Sequence, residues 1–112
     1  MPDKDLVAAS TRPLLLALLA EGDSYGYALI QRVKTLSAGT LQWSEGMLYP
    51  VLHRLEAEGL IRSEWREAET GRRRKYYHLT RKGKPALEAE RADWMAVHNT
   101  LAKLWKLSPA EA

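Results

Sequence analysis

The sequence predicts a mainly helical chain carrying one β-hairpin, an α+β arrangement, and three observations predict it. Apolar residues recur at helical spacing in three successive stretches before Gly59. Between Leu60 and Thr80 the period drops to two around a central Gly71, the signature of a hairpin. After Thr80 a helical period returns, with Leu87, Trp94, Val97, Leu101 and Leu104 spaced as an a/d seam. At 112 residues the chain suits one modest core. It divides into a unit over residues 1–80 and a terminal helix over 81–112.

Residues 1–5 are polar and expected to fray. Leu6 to Ala20 reads as the first helix, with Ser10 or Thr11 available to restart it as a cap ahead of Pro13. Leu14, Leu15, Leu16, Leu18 and Leu19 make it apolar nearly all round, which suits a central helix or one shared with a second subunit. Gly22 supplies its stop. Ser24 is placed to cap a second helix, Tyr25 to Leu36, whose core stripe is Tyr25, Leu29, Val33 and Leu36. Thr40 to Trp43 has room only for a short edge strand.

The third helix spans the stretch from Ser44 to Gly59. Ser44 caps its start, Gly59 ends it in the left-handed region, and Met47, Leu48, Val51, Leu52 and Leu55 form one apolar stripe. The opposite face carries Gly46, Tyr49, Pro50, His53 and Arg54, a small, aromatic and cationic mix suited to a partner. In the hairpin, Ile61, Ser63 and Trp65 alternate with Arg62, Glu64 and Arg66, and Tyr77 and Leu79 with Tyr76 and His78. Thr80 caps the last helix, which Gly83 and Pro85 weaken at its opening. Regular helix is expected from about Pro85 to Leu107, roughly 33 Å at 1.5 Å per residue.

The formal net charge of +3 conceals a segregation. Residues 60–84 hold nine cations (Arg62, Arg66, Arg72, Arg73, Arg74, Lys75, Arg81, Lys82 and Lys84) against three glutamates, while the flanking stretches are slightly acidic. Such a block is the electrostatic footprint of a polyanion binder, and its bland alternative is a solvated charged hairpin. Three helices followed by a basic hairpin is the winged helix-turn-helix plan. In that plan the third helix enters the major groove and the hairpin lies along the backbone. The candidate DNA-binding residues are therefore Ser44, Gly46, Tyr49, Pro50, His53, Arg54, Arg72, Arg73, Arg74 and Lys75.

The seam follows a nearly complete domain, so dimerisation through Leu14, Leu87, Trp94, Val97, Leu101 and Leu104 is the economical reading. The alternative is that the last helix folds back on the first. Across a two-fold axis, paired Trp94 side chains can stack a flat aromatic molecule between them. Glu90 and His98, one turn to either side, would add polarity, and Leu6 and Val97 complete the candidate ligand set.

Several classes are excluded. With no cysteine there is no disulfide, thiol catalysis or cysteine-based zinc site, and a reducing cytoplasm is the default. The longest apolar run, Leu14 to Ala20, is about a third of a membrane span, and no signal peptide is expected. His53, His78 and His98 lack metal-ligand spacing and no phosphate-cradling loop is present. No enzyme, metal or cofactor is expected.

Three ordered motifs resemble the PadR-type transcriptional regulators: Gly22-Asp23-Ser24-Tyr25-Gly26-Tyr27, then Leu48-Tyr49-Pro50 through Gly59-Leu60-Ile61, then Gly71-Arg72-Arg73-Arg74-Lys75-Tyr76-Tyr77-His78-Leu79-Thr80 with Lys82-Gly83. The resemblance spans about Leu14 to Leu107 and implies a winged-helix homodimer that represses transcription from a pseudo-palindromic operator. The single short C-terminal helix is similar to that of the small, multidrug-responsive subfamily, in which a tryptophan on the last helix sandwiches planar aromatic drugs. Trp94 stands where that tryptophan would be, with Glu90 and His98 supplying different chemistry beside it. Two other classes stay open: a winged-helix protein-interaction module, and a ligand-sensing dimer with a secondary DNA role.

Overall fold

The structure, a computed structural model, describes residues 1–105. Seven elements follow in order: α1 (Lys4–Ala20), β1 (Ser24–Tyr25), α2 (Gly26–Leu36), α3 (Glu45–Ala57), β2 (Ile61–Glu67), β3 (Arg73–Leu79) and α4 (Gly83–Leu104). The three strands form one antiparallel sheet in the order β1-β3-β2. This is the mainly α fold with a hairpin wing that the sequence predicts.

Helix α1 starts at Lys4 rather than Leu6. The Asp3 carboxylate accepts the Asp5 N–H at 3.1 Å, and Asp5 adds negative charge to the first turn. Ser10 and Thr11 do not restart the helix. Both hydroxyls donate back to the Val7 carbonyl, at 2.9 and 2.8 Å, and Pro13 sits inside one continuous helix. Leu15, Leu16, Leu18 and Leu19 are all buried, so α1 is central to its own subunit.

Ser24 is not a helix cap. Ser24 and Tyr25 pair with Tyr77 and Tyr76 of β3, and α2 begins one residue later, at Gly26, with no side-chain cap. The ladder to β3 satisfies the backbone that a cap would have served. Of the expected α2 stripe, Leu29 and Val33 are buried, Tyr25 lies on the sheet, and Leu36 at the last position is exposed. Thr40 to Trp43 forms no strand. The sheet edge belongs to β1, and Trp43 turns into the core instead.

Helix α3 matches its sequence signals at both ends. The Ser44 hydroxyl accepts the Met47 N–H at 3.2 Å. Gly59 has φ +78° and closes a Schellman turn, its N–H reaching the Glu56 carbonyl at 2.9 Å and that of Leu60 reaching Leu55 at 3.0 Å. Leu48, Leu52 and Leu55 are fully buried, and Met47 and Val51 pack partly against them.

In the hairpin Ile61, Tyr77 and Leu79 face the core. Trp65 shares their face but lies beyond the edge of the core and is 58 % exposed. Helix α4 begins at Gly83, ahead of the expected Pro85, because Thr80 accepts the Gly83 N–H through both its carbonyl and its hydroxyl, at 3.0 and 3.1 Å. Pro85 falls in the first turn, where no intrahelical donor is lost. A Cβ on Gly83 would collide with the Leu60 carbonyl and the Leu79 side chain, so this residue lets α4 seat on the base of the hairpin. Ala86 and Leu87 pack against the core. Beyond them Trp94, Met95, Val97, Leu101 and Leu104 are exposed. The expected terminus at Leu107 lies outside the described residues. Among the described residues no helix is long and apolar enough to cross a membrane.

Candidate nucleic-acid interface

The turn around Gly71 places Arg72, Arg73, Arg74 and Lys75 at the closed, turn end of the hairpin. Together with Tyr25, Tyr27, Glu45, Tyr49 and Trp65 they line a cleft of about 500 Å³ between the wing and the first turns of α2 and α3. Aromatic rings hold three of these cations. The Arg74 guanidinium lies 4.5 Å from the Tyr25 ring centre, Arg73 lies 5.7 Å from Trp65, and the Lys75 ammonium lies 5.9 Å from Tyr77. Cation–π attraction restricts side chains that would otherwise sample many rotamers.

On α3, Gly46, Pro50, His53 and Arg54 are exposed along one face. Ser44 is exposed too, with its hydroxyl oxygen engaged as the cap. Tyr49 is half-buried, and a Cβ on Gly26 would collide with its hydroxyl, so the two helices meet closely there. Its ring lies 6.4 Å from that of His53. Of the expected recognition residues, Tyr49 and the four wing cations line the cleft, while Ser44, Gly46, Pro50, His53 and Arg54 lie outside its lining.

The basic block is less uniform than its residue count suggests. Arg66 is engaged by Asp23 at 2.6 Å and by Glu64, and it lies over the Tyr76 ring at 4.9 Å. His78 Nδ1 meets the other Asp23 oxygen at 2.7 Å. Asp23 thus ties the loop after α1 to both long strands. Hydrogen bonding to Arg66, and then to His78, holds its carboxyl below the usual carboxylate range. Beneath the wing Glu56 accepts the Ser63 N–H at 2.9 Å and hydroxyl at 2.7 Å. The buried Tyr77 hydroxyl has no hydrogen-bond partner among the described residues, and burial first, with Tyr49 and Glu56 nearby, pushes it up to about 12.

A second concave site lies between α1 and α4. It is a groove of about 540 Å³ lined by Leu6, Val7, Pro13, Leu14, Leu41, Leu87 and Trp94, with Arg91 the single formal charge at its border. Of the expected ligand set, Leu6 and Trp94 line this groove, while Val97 and His98 lie farther along α4. Glu90 turns to Arg12, its Oε1 accepting from Arg12 Nε at 3.0 Å while Oε2 is buried without a partner among the described residues. The rest of the Arg12 fork grips Glu58 at the C-terminus of α3, at 2.7 and 2.8 Å. That contact raises the Arg12 guanidinium and lowers the Glu58 carboxyl.

Sequence reasoning did not single out Trp65, Tyr27 or Arg12. The alternation of β2 already put Trp65 on the inner face beside a basic tip, which was signal enough. Arg12 gives no local signal, because its partners lie 46 and 78 residues away.

Residues 15–89 match the family described as Transcriptional regulator PadR-like family. The chain is 39 % identical over 88 residues to Transcriptional regulator Rv3488 of Mycobacterium tuberculosis, covering 79 % of this chain and 78 % of that one. Among solved structures, a PadR-like transcriptional regulator from Bacillus cereus superposes with a TM-score of 0.81 at 28 % identity, covering 94 % of this chain and 100 % of the other. A transcriptional regulator from Clostridium thermocellum gives 0.81 at 29 % identity, covering 92 % and 97 %. With its fold, its three ordered motifs and these likenesses in agreement, the chain belongs to the PadR-like family of transcriptional regulators.

Proposed function

We propose that this regulator is a homodimeric repressor that binds a pseudo-palindromic operator in duplex DNA and releases it when a planar aromatic molecule seats beside Trp94. The observation that carries the DNA half is the cleft in which Arg72, Arg73, Arg74 and Lys75 meet Glu45 and Tyr49 of α3. Helix α3 enters the major groove with Gly46, Tyr49, Pro50, His53 and Arg54 toward the bases and Ser44 near the backbone. The wing cations neutralise flanking phosphates. Because Arg66 is already paired, three or four phosphates per subunit is a sufficient count, and the dimer's slope of log K against log salt is roughly −5 to −7.

Dimerisation uses the exposed face of α4, Trp94, Val97, Leu101 and Leu104, with Leu14 and Leu87 at its inner end. Residues 1–80 then act as the reading head and 81–112 as the spacer. Effector binding at Leu6 and Trp94, with Glu90, Val97 and His98 within about a turn of Trp94, favours a head separation that mismatches the operator. A coupling of about 1–3 kcal/mol is typical of such switches. The protein works in the cytoplasm, where its DNA is.

Replacing Arg72, Arg73 and Arg74 together by Ala tests this function. The variant is expected to lose duplex binding while keeping its dimer and its response to planar aromatics, read as tryptophan fluorescence. Unchanged duplex binding would point to a protein-interaction module instead. Aromatic binding with no effect on DNA affinity in the unaltered protein would remove the regulatory half.

A further inference from the structure

We propose, building on the duplex-binding function above, that Trp65 is a DNA contact of the wing. Its indole packs on the deoxyribose wall of the groove beside the recognition helix, next to Arg73, which meets the adjoining phosphates. Trp65 stands opposite Lys75 on the same face as Ile61, which is 1 % exposed, yet Trp65 itself is 58 % exposed. The core ends between the two, so among the described residues the indole is left largely uncovered. A single exposed apolar side chain is ordinary. What distinguishes this one is its company, because it lies in the cleft shared by Arg72, Arg73, Arg74 and Lys75 and by Tyr27 and Tyr49. The Arg73 guanidinium already rests 5.7 Å from its ring centre.

The chemistry of that surface selects its occupant. Four cations require a dense anion, while two exposed rings, Trp65 and Tyr27 at 63 %, require flat apolar area interleaved with it. Duplex DNA offers both at a few ångströms' spacing, phosphates alternating with hydrocarbon-rich sugars, whereas an acidic peptide offers mainly the charge. The cleft is also continuous with the first turn of α3 through Glu45 and Tyr49, so an occupant of the third helix's groove lies against Trp65. Part of the wing's affinity is therefore independent of salt.

The test uses a duplex selected by the unaltered protein from a random pool, with 5-fluorotryptophan in place of the four tryptophans. On saturation the fluorine resonance of Trp65, assigned with Trp65→Phe, shifts while that of buried Trp43 stays in place. Trp65→Ala weakens binding about tenfold with the salt slope unchanged, and Trp65→Phe weakens it less. Arg73→Ala instead lowers the slope by about one unit per subunit. A Trp65 resonance that does not move in the saturated complex overturns the proposal, as does Trp65→Ala binding as tightly as the unaltered chain. If Trp65→Ala melts early, the Phe variant and the resonance decide. Failure of the unaltered protein to bind any duplex removes the DNA-binding function itself, and this contact with it.

Discussion

Arg12, in the middle of α1, grips Glu58 at the end of α3 fork to fork, with Nη1 and Nη2 at 2.7 and 2.8 Å from the two carboxylate oxygens. Its Nε–H reaches Glu90 on α4. One guanidinium therefore joins α1 to the end of α3 and to α4. Planar, two-pronged recognition of this kind is what arginine does and lysine does not.

Arg12→Ala is expected to lower stability by about 1 kcal/mol, because it strips the partner from a carboxylate whose other oxygen is already buried and bare. The figure is discounted for the partial exposure of both side chains. Adding Glu90→Leu should recover most of the loss by removing the stranded charge. Urea unfolding of the single and double variants checks this, and a double variant as unstable as the single one would contradict it.

Gly26→Ala should strain the meeting of α2 and α3, since the new Cβ collides with the Tyr49 hydroxyl. A loss of about 1 kcal/mol is expected, as for other overpacked contacts whose neighbour can swing aside. Tyr49→Phe in the same chain should restore part of it, and additive losses in the double-mutant cycle would show that the two residues do not meet.

Stability should decline at both ends of the pH scale, for opposite reasons. Asp23, Glu58 and Glu21 are held below the usual carboxylate range, by Arg66 and His78, by Arg12 and by Arg32 respectively. Their contribution is present above the unfolded carboxylate value of about 4 and is lost as pH falls through the lower folded values. Tyr77 is raised to about 12 by burial, so its contribution is present below about 10 and lost as pH climbs toward 12. Asp23→Asn should flatten the acid limb of a urea-stability profile, and Tyr77→Phe the alkaline limb. Since the Tyr77 hydroxyl has no hydrogen-bond partner among the described residues, its removal should cost little at neutral pH.

What the sequence made legible was local. Ser44 and Gly59 mark the ends of α3 through bonds within a turn of each, and Gly71 with its alternating flanks marks the hairpin. Ser24 misled because a serine before an amphipathic run looks like a cap, whereas its pairing with Tyr77, more than fifty residues later, made it a strand. Pro85 misled in the same way, since the seat of Gly83 on Leu60 and Leu79 set the helix start. The wing arginines were readable as a charge run. That Arg66 is offset by Asp23, and that Arg12 joins three helices, depends on contacts between distant segments that no local pattern encodes.

The most direct test of the account is a footprint on a selected duplex, with affinity followed from low to moderate salt. Two protected half-sites about 34 Å apart, or a multiple of that, together with a slope of roughly −5 to −7, are what a dimer carrying two α3 helices and two wings requires. A single undivided footprint, or a slope near zero, would contradict it.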